Sequence, residues 1–231
     1  MSNLHNSLIF PQQQLTTSNH QLLTLIVAST SDELEQVNNL WHEVYVDELG
    51  WLPPQEESLL HDSYHPHSVY LLARVDNKAV ATMRLVFDSV AGLPLEQSFR
   101  LGPIKKSTPR AIEAQRLMVS PVFRQLRKIK GAPFGLCLTM IKAGFHYCFI
   151  HQVSHIFVDA FVDTKTTPLK IFKVIGFEEI GCPFIDTKLL CSQSKSIAMV
   201  IDPVQLLSQG YRNRSYLFKY LFEFDTSFKF Y

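Results

Sequence analysis

Apolar positions along the chain fall into short blocks that alternate between two periods. Residues 22–28 are a run of aliphatic and β-branched side chains, and a helix signal follows at once: Thr30 stands at an N-cap and Glu33 completes a capping box. Leu34, Val37, Leu40, Trp41, Val44 and Tyr45 then fall on one helical stripe, which Gly50 ends together with Pro53 and Pro54. Residues 68–75 and 79–87 read as strands, and Asp76-Asn77-Lys78 between them predicts a tight antiparallel hairpin. After a loop with Gly92 and Pro94, residues 111–119 form a further strand, 134–150 a long apolar helix and 155–161 another strand. Pro168 stands where a helix begins, residues 169–175 continue it and Gly176 closes it. Residues 177–180 and 197–201 are candidates for the last strands.

This order predicts an α/β sandwich around a mixed sheet, with no internal repeat or linker to divide it. Residues 1–20, rich in Asn, Gln and Ser, read as a flexible arm, and residues 21–231 as a single domain. A hydrophobic content of 46% against 19% charged supplies the core for it. The last residues, 216–231, are unusually aromatic. They cover the domain, form a dimer contact, or touch a membrane or an acyl chain.

A formal net charge of +1 excludes a surface built as a whole to embrace nucleic acid. The sum hides an asymmetry. From Asp32 to Asp62 there are nine acids and no Lys or Arg, while from Arg100 to Lys130 there are nine bases and one acid, Glu113. Four cysteines without a C-x-x-C pair read as buried reduced thiols. No secretory signal and no membrane-length apolar stretch is found, so a cytoplasmic protein is expected. His61, His65 and His67 with Asp62 have conceivable metal-ligand spacing, but Pro66 and the lack of helical periodicity favour loop histidines, and no metal is expected. His146, His151 and His155 read as packing or rim residues.

Six segments occur in a telling order: 44–51 (VYVDELGW), His61-Asp62-x-Tyr64, Ser68-x-Tyr70-Leu71-Leu72-Ala73, Ala81-Thr82-Met83-Arg84-Leu85, Leu93-Pro94-Leu95-Glu96-x-x-Phe99 and Glu113-Ala114-Gln115-Arg116-Leu117. Together, over about residues 40–180, they resemble the acyl-homoserine-lactone (autoinducer) synthases and the related N-acyl amino acid synthases of the GNAT-like acyltransferase superfamily. The resemblance implies an α/β, GNAT-like (acyl-CoA N-acyltransferase) fold, with a central mixed, mostly antiparallel sheet flanked by helices. It also implies transfer of a fatty acyl group from a phosphopantetheine thioester to the amine of a small molecule, with no permanently bound cofactor. The carrier would be an acyl carrier protein, or less readily coenzyme A. The family's E-x-x-R pair is here Glu113 and Arg116, its preceding strand arginine Arg84 and its acid after the tryptophan loop Asp62, while Trp51 matches its tryptophan; Phe99 joins Trp51 and Asp62 on the acceptor side. Met118, Val119, Arg124, Arg127, Lys128, Lys130 and Gly131 would meet the acyl donor. Trp41 and Glu43 stand where the family often has arginines, and His65 where it has a second aspartate, which points to an acceptor such as a free amino acid or another amine.

The chemistry sets its own demands. An amine attacking a thioester must lose a proton, so the site needs a carboxylate, a histidine or an ordered water, plus donors for the tetrahedral oxyanion. Glu113, with arginine neighbours to keep it ionised, suits orienting an ammonium or taking its proton through water. The bland alternative is a structural Glu113–Arg116 ion pair. Strict strand alternation places Glu113 and Gln115 on one side and Arg116 on the other, so a shared cleft requires a bulge between residues 113 and 120. Arg84, flanked on its face by Thr82 and Val86, needs a carboxylate from Asp62 or the substrate, or else lies at the sheet surface with its stem packed. In residues 123–135 the Q/R-x-x-G-x-G/A pyrophosphate signature fails, with Lys130 at the first glycine, and the surviving cations suit an acidic carrier protein. Phe157, Phe161, Phe172 and Phe177 line an acyl tunnel or belong to the core. An ordinary acetyl-CoA-dependent N-acetyltransferase and a catalytically silent acyl or carrier-protein-binding module remain as alternatives.

Overall fold

Asp76 and Asn77 fold the centre of the chain back on itself. Both take positive φ (50° and 63°), the conformation a two-residue type I′ turn requires and one that Asp and Asn tolerate. Lys78 is therefore already in the strand, and β2 (Ser68–Val75) pairs antiparallel with β3 (Lys78–Phe87). The computed structural model describes residues 23–53, 62–108, 110–124, 129–164, 167–185, 194–213, 216–223 and 228–230. The expected arm at residues 1–20 lies outside them.

Around the hairpin the sheet grows to eight strands. β1 (Leu23–Val27) pairs antiparallel with β2, β4 (Ala111–Val119) antiparallel with β3, and β5 (His155–Phe161) parallel with β4. β6 (Glu178–Ile185) and β7 (Lys195–Ile201) extend it beyond β5, and the short β8 (Phe228–Lys229) runs parallel to β1, giving the order β6-β7-β5-β4-β3-β2-β1-β8. The sheet is mixed and mostly antiparallel, as expected. β4 and β5 are paired only from Ala111 to Glu113 against His155 to Phe157, and then diverge.

α1 (Ser31–Trp41) starts with the anticipated capping box: the Glu33 N–H donates to Thr30 Oγ1 at 3.3 Å and the Thr30 N–H to Glu33 Oε2 at 3.1 Å. Beyond Trp41 the helix widens into a π-helical stretch, His42–Glu48, which α-helical spacing does not anticipate. The wider turn stacks Trp41, Tyr45 and Trp51 in succession, with centroids 5.2 and 5.3 Å apart. Short helices α2 (Gly102–Lys106) and α3 (Pro121–Arg124) flank β4, α4 (Leu136–Ile150) crosses one face of the sheet, and α5 (Leu169–Ile175) ends at Gly176 with φ 114°.

α6 (Pro203–Asn213) and α7 (Tyr216–Phe222) were not anticipated. The start of α6 carries a readable cap, since Asp202 Oδ1 accepts the N–H groups of Val204 and Gln205. α7 lies on α4: Leu221 is fully buried, the Phe222 ring meets Phe145 and Phe149, and Thr139 Oγ1 is 2.8 Å from the Tyr220 hydroxyl. The aromatic C-terminal segment thus covers the domain. It also covers two polar groups of α4: Lys142 Nζ lies 4.7 Å from the Tyr220 ring centroid, and His146 Nε2 is 3.1 Å from the Leu221 carbonyl. His151 stacks on Tyr147. Burial pushes the Cys148 thiol up, as a core cysteine should behave, but Cys182 on edge strand β6 is exposed; alternation on an edge strand has a solvent side that composition does not reveal. Cys191 lies outside the described residues.

The capping box gives a pH test. The Ser29 N–H, opposed by partial burial and aided by Thr30 and Arg74, holds the Glu33 carboxyl down at about 2 against an ordinary 4.5. A depressed folded-state pKa contributes stability above the unfolded value that is lost as pH falls towards the folded one. Thr30→Ala should cost about 1 kcal/mol in urea unfolding at pH 7. Glu33→Gln should be destabilised at pH 7, with a deficit that shrinks between pH 4.5 and 2.

Candidate active site

The cleft begins with a break in β4. Arg116 takes φ 53°, and the pairing with β3 jumps from Arg84↔Gln115 to Thr82↔Met118, three steps on β4 against two on β3. Ile112, Ala114, Leu117 and Val119 stay in the main core on the α4 side. Met118 packs on the other side with Leu40, Trp41 and Val44, and the Arg116 guanidinium lies 5.5 Å from the Trp41 ring. The anticipated bulge is therefore present. It turns Arg116 to the side that already carries Glu113 and Gln115.

Asp62 ties this side together. Its carboxylate accepts from Arg84 Nη1 at 2.5 Å and Nη2 at 2.6 Å, from Arg116 Nη2 at 2.9 Å and from the Tyr64 N–H at 3.0 Å. Arg84 Nε donates to Ser68 Oγ, so all three guanidinium nitrogens are engaged, and the side chain is 1% exposed. Arg84 thus meets Asp62, one of the two carboxylates anticipated for it. Behind Arg84 lies Tyr70, whose hydroxyl is 3.0 Å from His65 Nδ1. Burial pushes the Asp62 carboxyl up, but the hydrogen bonds and charge of Arg84, then Arg116 and Tyr64, outweigh it and leave it below the usual range. Desolvation and the nearby charge of Arg84 lower Arg116, against the pull of Asp62.

Glu113 is 2% exposed, and its Oε2 accepts the Leu95 N–H at 2.6 Å, which anchors the loop at Pro94–Gln97 over β4. Glu113, Gln115 and Arg116 form part of the wall of a cleft of about 860 Å³. One end is lined by Asp62, Tyr64 and Trp51, the last with its ring 5.0 Å from Phe161. The other end runs between the diverging β4 and β5 towards Cys137, Ile171 and Phe172. Burial raises the Cys137 thiol to about 11, so it is a protonated wall residue at neutral pH.

Of the anticipated site residues, Trp51, Asp62, Glu113, Arg116, Met118, Val119 and Arg124 line this cleft. Arg84 stands behind Asp62, and Phe99 stands behind Phe184, with the two rings 5.5 Å apart. Arg124 bonds Glu48 at 2.6 Å and the Val119 carbonyl at 2.8 Å. Lys130 and Gly131 sit in the turn from Ile129 to Ala132, away from the cleft wall, and a Cβ on Gly131 would meet Leu23 at 3.4 Å. Arg127 and Lys128 lie outside the described residues. The charge asymmetry along the chain is consumed in part by these contacts: Asp62 with Arg116, and Glu48 with Arg124, join the acidic stretch to the basic one. Phe161 and Phe172 line the cleft, while Phe157 and Phe177 are core. Trp41, Tyr45, Tyr64 and Gln115 are wall residues that sequence reasoning missed as such. Only the bulge could have singled out Gln115. His61 lies outside the described residues, and among those described no group of three His, Cys, Asp or Glu is placed to hold a metal ion.

The model of the N-acyl amino acid synthase FeeM family matches residues 36–189, well over half the chain. The chain belongs to the FeeM family of N-acyl amino acid synthases. None of the curated protein sequences matches it. Among solved structures, the N-acyl amino acid synthase FeeM from uncultured soil microbes superposes with a TM-score of 0.64 at 12% identity, covering 84% of this chain and 96% of that one. The CoA-dependent acyl-homoserine lactone synthase BjaI, solved with SAM and isopentyl-CoA, gives 0.60 at 18% identity over 90% and 93%. The acyl-homoserine-lactone synthase LasI gives 0.56 at 13% identity over 80% and 91%. The fold of this FeeM-family chain is that of the GNAT-like N-acyltransferases, and the protein is an acyltransferase. Among its described residues no helix is long and apolar enough to cross a membrane.

Removing the charge of Asp62 tests the cluster. Asp62→Asn leaves the buried Arg84 without its anion and should cost about 3 kcal/mol in urea unfolding at pH 7. Because the folded-state pKa of Asp62 is depressed, its contribution is present above the unfolded value and falls away as pH drops through the folded one. The variant should therefore lose part of the acid limb of the stability profile. A cost under about 0.5 kcal/mol would mark the cluster as an ordinary surface pair.

Proposed function

We propose that this acyltransferase joins a fatty acyl group, delivered as a thioester by an acyl carrier protein, to the amine of a free amino acid. The observation that carries this reading is the bulge, which puts Glu113 and Arg116 in one cleft at the point where β4 leaves β5. The pantetheine arm would enter through that divergence and bring the thioester carbonyl beside Glu113. A zwitterion laid along β4 would place its ammonium at Glu113 and its carboxylate at Arg116, whose orientation Asp62 and Trp41 fix. The nitrogen attacks the carbonyl carbon, the C–N bond forms and the C–S bond breaks. Of the two protons the ammonium sheds, one leaves through Glu113 to solvent and the other ends on the departing thiol.

The apolar end of the cleft at Ile171 and Phe172 suits a long acyl chain better than an acetyl group. For the donor, the turn at Ile129 to Ala132 leans on β1 and presents an exposed Lys130 where close backbone approach to a pyrophosphate would need glycine. With Arg127 and Lys128 beside it in sequence, that surface favours an acidic carrier protein over coenzyme A.

Thiol release from acyl carrier protein and from acyl-CoA, measured with a panel of amino acids, tests the reading. The carrier-borne donor should have the higher kcat/KM, and Glu113→Gln should lower kcat by about 10²–10⁴-fold with little change in KM for the donor. Full activity in Glu113→Gln would remove the base, and turnover with acetyl-CoA alone would make the protein an acetyltransferase.

A further inference from the structure

Gln115 lines the cleft, yet its Nε2 is buried and makes no hydrogen bond. Trp41 lines the same cleft, and its Nε1, which can only donate, is likewise buried without a partner. Buried donors are satisfied in the great majority of cases, and an orphan in a wall that faces a ligand is a place where the ligand supplies the acceptor. The two orphans flank Arg116: Gln115 precedes it in the chain, and Trp41 lies against its guanidinium. Three donor side chains thus neighbour one another in the wall of the cleft. The bulge keeps Glu113, Gln115 and Arg116 on the same side, so an acid, an amide donor and a cation follow one another along β4 over about 10 Å.

We infer that Gln115, with the Trp41 indole N–H, reads the carboxylate of the acceptor beside Arg116 and sets the preference for an amino acid over an amine that lacks the acid group. This rests on the acyl-transfer reading above for the identity of the acceptor, and it assigns the selectivity to two residues outside the E-x-x-R pair. The glutamine amide has a broad terminal torsion and turns to meet an oxygen placed in the cleft. A carboxylate accepts from the amide, the indole and the guanidinium together, whereas a primary carboxamide brings an NH₂ group against at least one donor. Neither Gln115 nor Trp41 exchanges a proton in this role. They are specificity residues.

The test uses the whole chain and product-like probes: N-dodecanoyl-glycine, N-dodecanoyl-phenylalanine and N-dodecanoyl-glutamate, each against its primary α-carboxamide, with affinities from calorimetry. The wild type should favour at least one acid over its carboxamide by more than tenfold. Gln115→Met, close in shape but without the donor, should cut that preference about tenfold while shifting carboxamide affinity less than twofold. Trp41→Phe, which keeps a ring under Arg116, should act in the same direction. An unchanged preference in both variants, parallel weakening of acid and carboxamide, or no preference in the wild type would each overturn the inference. Amide formation is followed on the same samples. Preference without turnover would sink the acyl-transfer reading and support the carboxylate subsite, and turnover without preference would do the reverse.

Discussion

Arg116 adopts a left-handed backbone conformation in the middle of a central strand, at a cost of about 1–3 kcal/mol, and the site is organised around that residue. Two contacts hold it there. Its guanidinium is bonded to Asp62 and lies on the face of Trp41, while the residues on either side of the bulge keep their places in the ladder with β3. Without the extra residue, Arg116 would point into the aliphatic core beside Ile112 and Ala114, where a guanidinium has no counter-charge. The bulge thus lets one strand serve an apolar face towards α4 and a charged face towards the cleft.

Asp62 carries the second constraint. It reaches back across the sequence from the acidic first third to two arginines on β3 and β4, and the π-helical turn at His42–Glu48 brings Trp41, Tyr45 and Trp51 alongside it. Two cations against one partly exposed carboxylate leave the cluster with a net positive character. Such a site favours an anionic group on a bound molecule. Glu113, two residues before Gln115, places a carboxyl group further along the same wall.

Much of this could be read from the residues, and the parts that could not have physical reasons. The hairpin, the capping box, α5 and its Gly176 cap carry their instructions locally, in turn and cap chemistry that no tertiary contact overrides. The bulge was legible because E-x-x-R spacing is incompatible with a flat strand if both side chains are to meet one ligand. The π-helical turn was not, since the apolar spacing of residues 41–45 is that of an ordinary helix and carries no mark of the wider turn. Phe99 and Lys130 show what a motif position leaves out: it says nothing about the neighbours around it, Phe184 beside the Phe99 ring and Leu23 against the glycine that follows Lys130. The basic centre of the chain looked like a surface of free cations, and the fold pairs Arg116 with Asp62 and Arg124 with the exposed Glu48.

The account comes down to a bond between an acyl carbon and the nitrogen of a molecule that keeps its carboxylate. Mass spectrometry of lipid extracts from cells expressing the protein tests this directly. It should show new species with the mass of a fatty acid plus an amino acid less one water, which fragment to the free amino acid. Acyl lactones, acetylated amines alone, or fatty amides of amines without a carboxyl group would contradict it.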